Sequence, residues 1–587
     1  MRIERHEVGE ARLAAATADF AERVGKDVHM MQHDPMPAEG WTMVAETFLD
    51  YLGARSVHDP DLTGRDAEVA FRSASAAGVG SLLLRTRFHR PHDIFVDYTG
   101  VGASYGPERE DDTGGPSPSD WLDAFWLAFL AGTSETAAEG FIEAASAWRE
   151  RPPRPDIALV HALLLYTYGC VPPGGPAGVP APSEDAGRCA LIDTLIARLG
   201  PGDDFPRQRA ALTTLRAIAA TDEDAFGEAL AAQLSAHRAH QHAYTAAGGS
   251  PGPGTLLPLA PIALAAMARQ WHGIRPGFES DYLPAALVTA FATGAPRVAA
   301  HGRDKRPDAV AALAAGPLAV SRPPHPYESG AEPLSWYDEQ ADEAMARFRD
   351  RAQPPGRRPA RPLLSLMSAH RARFLARAAA DPRGDDSGLY ESLALAAEAG
   401  AAALRLARAE PGTQVEVAIG VTVRMLPGVH GEDEPSAHHW RVATSAALAV
   451  GARKPLADCV LMDPAFLDAD TPTPASAYSA ALHDYLRGAE PEGALDRAAA
   501  LTARAGATSA PPPPVVLLSQ LVQGDREGFA LALADALEEY RDHYSVADRG
   551  NAVEAAASID ILGLACHARR IGWPVPVVSP YLPRNVF

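Results

Sequence analysis

Apolar residues recur at helical spacing along most of the chain and give way to the alternation of a strand at two places only. Ala11, Leu13, Ala16, Phe20 and Val24 predict a helix over 8–25, and Trp41, Val44, Phe48 and Tyr51 predict another over about 41–53. Val69, Phe71, Val79, Leu82 and Leu83 predict a third over 66–87, ending in Arg85 and Arg87, which suit the negative end of a helix dipole. Ile94, Val96 and Tyr98 then alternate with Asp93, Phe95 and Asp97, the period of a strand over 92–101. Beyond a Gly-, Pro- and acid-rich loop, Ser119 or Asp120 is the expected cap of a helix carrying Trp121, Phe125, Phe129 and Leu130 inward. Further helices are expected between 135 and 220, and a long one over about 222–242 is anchored by Phe226, Leu230 and Leu234.

The pattern then starts again. Thr255 to Pro284 reads as an apolar helix, a Gly stop, a Pro-broken extended segment and a closing Ser-x-Tyr-Leu-Pro, and Ala556 to Pro583 reads the same way. One spacing relates Gly273 to Gly572 and Tyr282 to Tyr581. Upstream, Gly100 matches Gly420, Trp121 matches Trp440, Gly169 matches Gly488, and Phe226, Leu230 and Leu234 match Phe529, Leu533 and Leu537. The strand reappears as Gln414 to Ile419. Order is kept throughout, and the second copy loses residues where the first has Pro/Gly loops, as surface connections permit. Nothing repeats at the roughly 30–50 residues of a helix-pair array. The expected fold is therefore mainly α, with two tandem, homologous helical domains, each with one short strand or β-hairpin. The expected boundaries are 1–295 for the first copy, 296–333 for a Pro/Gly-rich linker and 334–587 for a diverged second copy.

Composition narrows the class. Hydrophobic residues make up 47% and charged ones 22% of 587, so the chain reads as folded and not disordered. With 53 basic against 74 acidic residues the net charge is −21, a field that repels nucleic-acid backbone and anionic membrane and attracts cationic partners. Four cysteines without a CxxC pair disfavour a disulfide scaffold or a cysteine zinc site. The first residues lack a continuous apolar region, and the longest apolar run, near Leu256, is broken by Pro258 and Pro261, so a cytoplasmic protein without membrane contact is expected.

Candidate chemistry is sparse. His237, His240 and His242 form HxxHxH near the end of a helix, where they read either as a metal site or, with Tyr540 in place of His237 in the second copy, as helix-end residues. His438 and His439 are neighbours just before Trp440 and point in different directions on a helix, and Cys566 and His567 cannot face each other as a nucleophile and its base. No GxSxG, GxxxxGK[ST], HExxH or GxGxxG stands in a strand-to-helix setting. No catalytic residue, metal ligand or cofactor is assigned. The acidic loops are the better candidate: Glu108, Glu110, Asp111 and Asp112 lie between the strand and the Trp121 helix, and Glu432, Asp433 and Glu434 occupy the same interval in the second copy. Two such loops fit a grip on a basic partner.

The closing element of the first copy, with LLPL leading an Ala/Leu helix, Trp271-His272-Gly273 and Ser280-Asp281-Tyr282-Leu283-Pro284, resembles the end of the immunity protein 49 family of bacterial polymorphic toxin systems. The opening MRIERHEVGEARLAAATADF resembles that of actinobacterial members. The second copy is similar through Gly572, Tyr581-Leu582-Pro583 and the Phe529 helix, but has Ala556-Ala557-Ser558-Ile559 in place of LLPL. The resemblance supplies no catalytic residues. It implies a mostly helical intracellular protein that neutralises a toxin. The leading expectation is a non-enzymatic protein that occludes a protein partner, a basic toxin being one such partner. The alternative is a helical scaffold recruited as an enzyme or resistance protein of secondary metabolism, with a small-molecule site in the cleft between its domains.

Overall fold

Helical periodicity is realised almost throughout. The computed structural model describes residues 2–34, 36–87, 89–107, 115–146, 148, 154–170, 185–199, 205–291, 295–330, 334–350, 360–429, 435–467, 471–505 and 510–587. Among the described residues it is mainly helical, 66% overall, with 23 helices and a few short strands in small sheets. The chain divides into two compact units, Met1–Thr293 and Gly294–Phe587.

In the first unit the helices Pro37–Arg55 and Arg65–Thr86 pack along each other, and the second of them also carries the helix Pro118–Leu130 and an antiparallel hairpin. Ser117, not Ser119 or Asp120, caps the Trp121 helix: its hydroxyl accepts from the Asp120 N–H while the Asp120 carboxylate accepts from the Ser117 N–H, a reciprocal capping box. Trp121 is fully buried and its indole N–H donates to the Phe141 carbonyl at 2.9 Å. The predicted helix over 8–25 is instead two, Glu10–Thr17 and Phe20–Met30, because Asp19 turns the backbone left-handed with φ 47°. Phe20, Val24 and Val28 are buried after the break, whereas Glu10–Thr17 buries nothing.

The second unit repeats this plan. Helices Ala360–Ala380, Gly388–Arg408, Ala437–Val450 and Ile559–Arg570 stack in succession, with a hairpin on the second of them. The Trp440 indole N–H donates to the Cys459 carbonyl at 2.9 Å, the counterpart of the Trp121 bond. The stretch expected as a linker, 296–333, forms part of this unit over its described residues. Arg297 pairs with Asp535 and Glu538, Lys305 pairs with Asp525 and Glu527, and Leu318–Ala319 pairs in parallel with Val577–Val578. Its anchors are ion pairs, a two-residue strand and the scattered core residues Val298, Ala309 and Val320, which together leave no continuous hydrophobic period to read.

Each unit is closed by its own ends. Arg2–Ile3 pairs in parallel with Glu279–Ser280, as Leu318–Ala319 does with Val577–Val578. The following tyrosines, Tyr282 and Tyr581, are buried at 0% and 1% exposure. The Tyr282 hydroxyl accepts from the His6 N–H at 2.9 Å, and the His6 ring bridges that hydroxyl and the Thr255 hydroxyl. His237 packs edge-on to Tyr282 and donates to the Thr255 carbonyl at 2.8 Å. In the second unit Tyr540 stands where His237 does, packs edge-on to Tyr581, and donates to the Glu554 carbonyl, the counterpart of Thr255. The tryptophans beside the two glycine turns do not share this burial. Trp271, 36% exposed, lies on the rim against Phe129 and Tyr166, and Trp573 is half-buried against Phe529.

Two predictions test this closure. Gly273 and Gly572 have φ of 70° and 84°, and a Cβ at either would meet open space, so Gly273→Ala and Gly572→Ala should each cost about 1–2 kcal/mol through backbone conformation alone. Urea midpoints of the two variants should fall together; a loss at one position only would break the structural equivalence. Burial pushes the His6 imidazole from its ordinary 6.5 down to about 4, with the neighbouring His237 adding to the effect. The unfolded chain therefore takes up this proton first, and the stability that His6 contributes is complete above 6.5 and lost as the pH falls toward 4. Chemical denaturation at about pH 7 and about pH 5 should show a smaller acid loss in His6→Gln than in the parent.

Candidate partner-contact surface

The two hairpins occupy the same place in their units and are inward-apolar as a half-buried sheet requires. In the first, His92–Val96 pairs with Val101–Tyr105, with Ile94 opposite Ala103 on the buried side. Gly102 is required by close approach, since a Cβ there would lie 2.2 Å from the Ile94 carbonyl oxygen. The second strand is tied down: Gln32 donates to the Gly102 carbonyl at 3.1 Å, and the Tyr105 hydroxyl donates to the Met31 carbonyl while accepting from the Trp41 indole. Phe95, on the outer side, is 46% exposed, and Met30, Met36 and Met43 on the nearby helices are each more than half exposed.

In the second hairpin, Gln414–Ile419 pairs with Thr422–Pro427 through a two-residue turn, Gly420-Val421. Val417, Ile419 and Leu426 are buried. Arg424 turns to this inner side, donating to the Phe348 carbonyl at 2.9 Å with its guanidinium over the Phe348 ring. Arg405, from the helix beneath, donates to the Glu416 carbonyl on the first strand at 2.9 Å, and the Gly420 N–H donates to Glu398 at 2.7 Å. The outer side carries Val423 and Met425, 45% and 53% exposed, and the turn carries Val421 at 94%.

The acidic residues singled out from sequence, Glu108, Glu110, Asp111, Asp112, Glu432, Asp433 and Glu434, lie outside the described residues. In sequence each run follows the second strand of its hairpin, Val101–Tyr105 or Thr422–Pro427. The other candidates resolve into local partners. His237 belongs to the closing cluster, and no group of three or more His, Cys, Asp or Glu suited to a metal occurs among the described residues. His439 Nδ1 accepts from the Ser436 N–H at 2.9 Å as part of a helix cap. The Cys566 thiol, pushed up to about 12 by burial, faces the Val586 carbonyl, while His567 shares a 3.0 Å hydrogen bond with the Tyr485 hydroxyl.

Sequence reasoning missed a polar seam in the second unit. Ser445 donates to Asp560 at 2.7 Å, and Arg441 approaches the same carboxylate at 3.6 Å. Counting from the matched Trp and Gly anchors, the first copy has Trp126, Pro261 and Leu122 at these positions. That contrast was the available signal. Tyr478, in the place of Leu159, is fully buried, and its hydroxyl has no hydrogen-bond partner among the described residues. Tyr478→Phe should accordingly leave the unit as stable or raise its stability by about 1 kcal/mol, read as a denaturant midpoint. A loss of that size would mean that the hydroxyl is bonded in solution.

The geometry defines a class: an internally duplicated helical protein that presents one exposed hairpin per unit. The chain belongs to the immunity protein 49 family, whose profile matches residues 97–287 and again 381–586. The tandem arrangement read from sequence is thereby established, and both matched stretches include the closing tyrosine. No curated protein and no solved structure matches the chain. Among the described residues no helix is long and apolar enough to cross a membrane.

Proposed function

We propose that this protein neutralises a cognate toxin in the cytoplasm by stoichiometric binding that occludes the toxin, without catalysis. The observation that carries this reading is the family match over both copies, because membership implies a toxin-neutralising role and a protein partner. The exposed outer sides of the hairpins support it, as contiguous apolar residues left on a surface are characteristic of contact sites. The acidic runs, Glu108 to Asp112 and Glu432 to Glu434, supply the electrostatic part of the same reading. A net charge of −21 attracts a basic toxin, and charges near a contact face act on the association rate more than on the final affinity.

The test is co-expression with the toxin encoded beside this gene. The parent chain should restore growth and co-purify with that toxin at a fixed ratio. Replacing Glu108, Glu110, Asp111 and Asp112, or Glu432, Asp433 and Glu434, with Ala should slow association about tenfold at low salt, a difference that shrinks as salt is added. Failure of the parent to protect against any neighbouring toxin would overturn the reading.

A further inference from the structure

The end bridges of the two units do the same structural task with opposite proton chemistry. In the first, the hydrogen bonds around His6 form one directed chain. The Thr255 hydroxyl gives its proton to the Gly252 carbonyl at 2.6 Å, so toward His6 it is an acceptor, and Nε2, at 2.9 Å, carries the ring proton. Nδ1 is then the bare nitrogen of a neutral ring. The Tyr282 hydroxyl donates to it at 2.8 Å while accepting from the His6 N–H at 2.9 Å. A proton added at Nδ1 turns this acceptor into a donor facing the Tyr282 O–H, and leaves a buried hydroxyl proton without its bond. His237 is different, because it donates to the Thr255 carbonyl in either charge state.

The surroundings of His6 give no compensation for a charge. The groups facing its ring are basic: His237 and His242 from the helix Glu223–Ala246, and Arg5 from its own segment. The carboxylates at this end are engaged elsewhere, Glu4 by Arg238 at 3.7 Å, Asp281 by Arg2 at 2.9 Å and Asp50 by the Gly254 N–H at 2.7 Å, while Glu7, Glu10 and Glu279 are exposed. In the second unit Arg322 stands where His6 does, each three residues beyond its paired strand. Arg322 is charged at every working pH and is provided for, donating to the carbonyls of Ala378, Ala379 and Ala556 and to Glu328. The next histidine along that segment, His325, caps the separate turn Pro326–Ser329 and bonds to the Ala552 carbonyl. Tyr282 and Tyr581 lie within the stretches matched to the family, 97–287 and 381–586, and His6 and Arg322 lie outside them.

We infer that the pairing of Arg2–Ile3 with Glu279–Ser280 is a proton-operated latch: in mild acid His6 takes up a proton at Nδ1, leaves its junction with Tyr282 and Thr255, and carries the N-terminal segment out with it, while the Arg322 bridge of the second unit stays closed. Burial keeps the closed His6 ring neutral well below its ordinary 6.5, so the open segment binds the proton first and opening grows as the pH falls below that value. The latch is independent of the toxin-neutralising reading.

Amide hydrogen exchange on the full chain, corrected for the intrinsic pH dependence of exchange, reads both bridges side by side. The probes in the first are the N–H groups of His6 and Asp281, bonded to the Tyr282 hydroxyl and the Ile3 carbonyl, and in the second those of Leu318 and Val320, bonded to the Pro576 and Val578 carbonyls. Between about pH 7.5 and about pH 5, opening at the first pair should rise about tenfold or more, and at the second pair by less than about threefold. In His6→Gln, whose new side chain does not titrate, opening at the first pair should be the same at both pH values. His237→Tyr, which introduces the second unit's residue, should keep most of the response and so separates His6 from His237. Should His6→Gln fail to close at either pH, the parent's own ring decides. NMR of isotope-labelled histidine should show His6 at about pH 7 as a neutral ring with its proton on Nε2. A proton on Nδ1, ordinary titration of His6 with the bridge still closed, equal rises at both bridges, no rise at the first, or an undiminished rise in His6→Gln would each overturn the inference.

Discussion

Both units depend on burying one tyrosine at the point where the two ends of the unit meet. A parallel pair needs a long crossover between its strands, and here nearly the whole helical unit serves as that crossover, from Arg2–Ile3 to Glu279–Ser280 and from Leu318–Ala319 to Val577–Val578. Two-residue strands are too short to hold on their own. Tyr282 and Tyr581, fully enclosed just after the bridge, supply the apolar burial that fixes it, while side chains on the long preceding helix bond to a backbone carbonyl. The starting segment is also pinned by charge in the second unit: Arg322, nearly all of its side chain enclosed, donates to the carbonyls of Ala378, Ala379 and Ala556.

This design explains how the copies diverged without losing the fold. His237 and Tyr540 are unlike residues, yet both donate to a backbone acceptor at the same place, the Thr255 or the Glu554 carbonyl. The tryptophan bonds follow the same logic, with Phe141 and Cys459 contributing only their carbonyls. Anchors that address the backbone tolerate changes of neighbouring side chains. Interiors can then be rebuilt locally, as where Ser445, Asp560 and Arg441 replace an apolar seam.

What the sequence disclosed followed from which interactions leave a period. The paired helices, both hairpin positions and the duplication were legible because apolar spacing and glycine placement recur. The break at Asp19 was not, since Ala11, Leu13 and Ala16 continue a helical pattern although the helix that holds them buries nothing. The start of the second unit was hidden for a related reason: Arg297, Lys305 and Arg322 look like surface charge in a proline-rich stretch until their carboxylate and carbonyl partners are brought beside them. At the candidate surface, the acidic runs stood out in composition. The outward alternation of Val421, Val423 and Met425 was present in sequence, but which side of the hairpin faces solvent is decided by the helix beneath it.

The proposed occlusion would be served best by a surface that does not have to be ordered at the moment of binding, because side-chain and loop ordering is subtracted from affinity. The second hairpin meets that demand through its inner side. Val417, Ile419 and Leu426 are buried, Arg424 is fixed on Phe348, and Arg405 and Glu398 hold the first strand and the turn. Its inner contacts thus fix the backbone while its outward residues remain free to change. A duplicated scaffold closed in this way can keep its helices and alter only the outward residues of a hairpin. The differences between Phe95 with Gly102 in one unit and Val423 with Met425 in the other are therefore changes of exposed surface on a common frame.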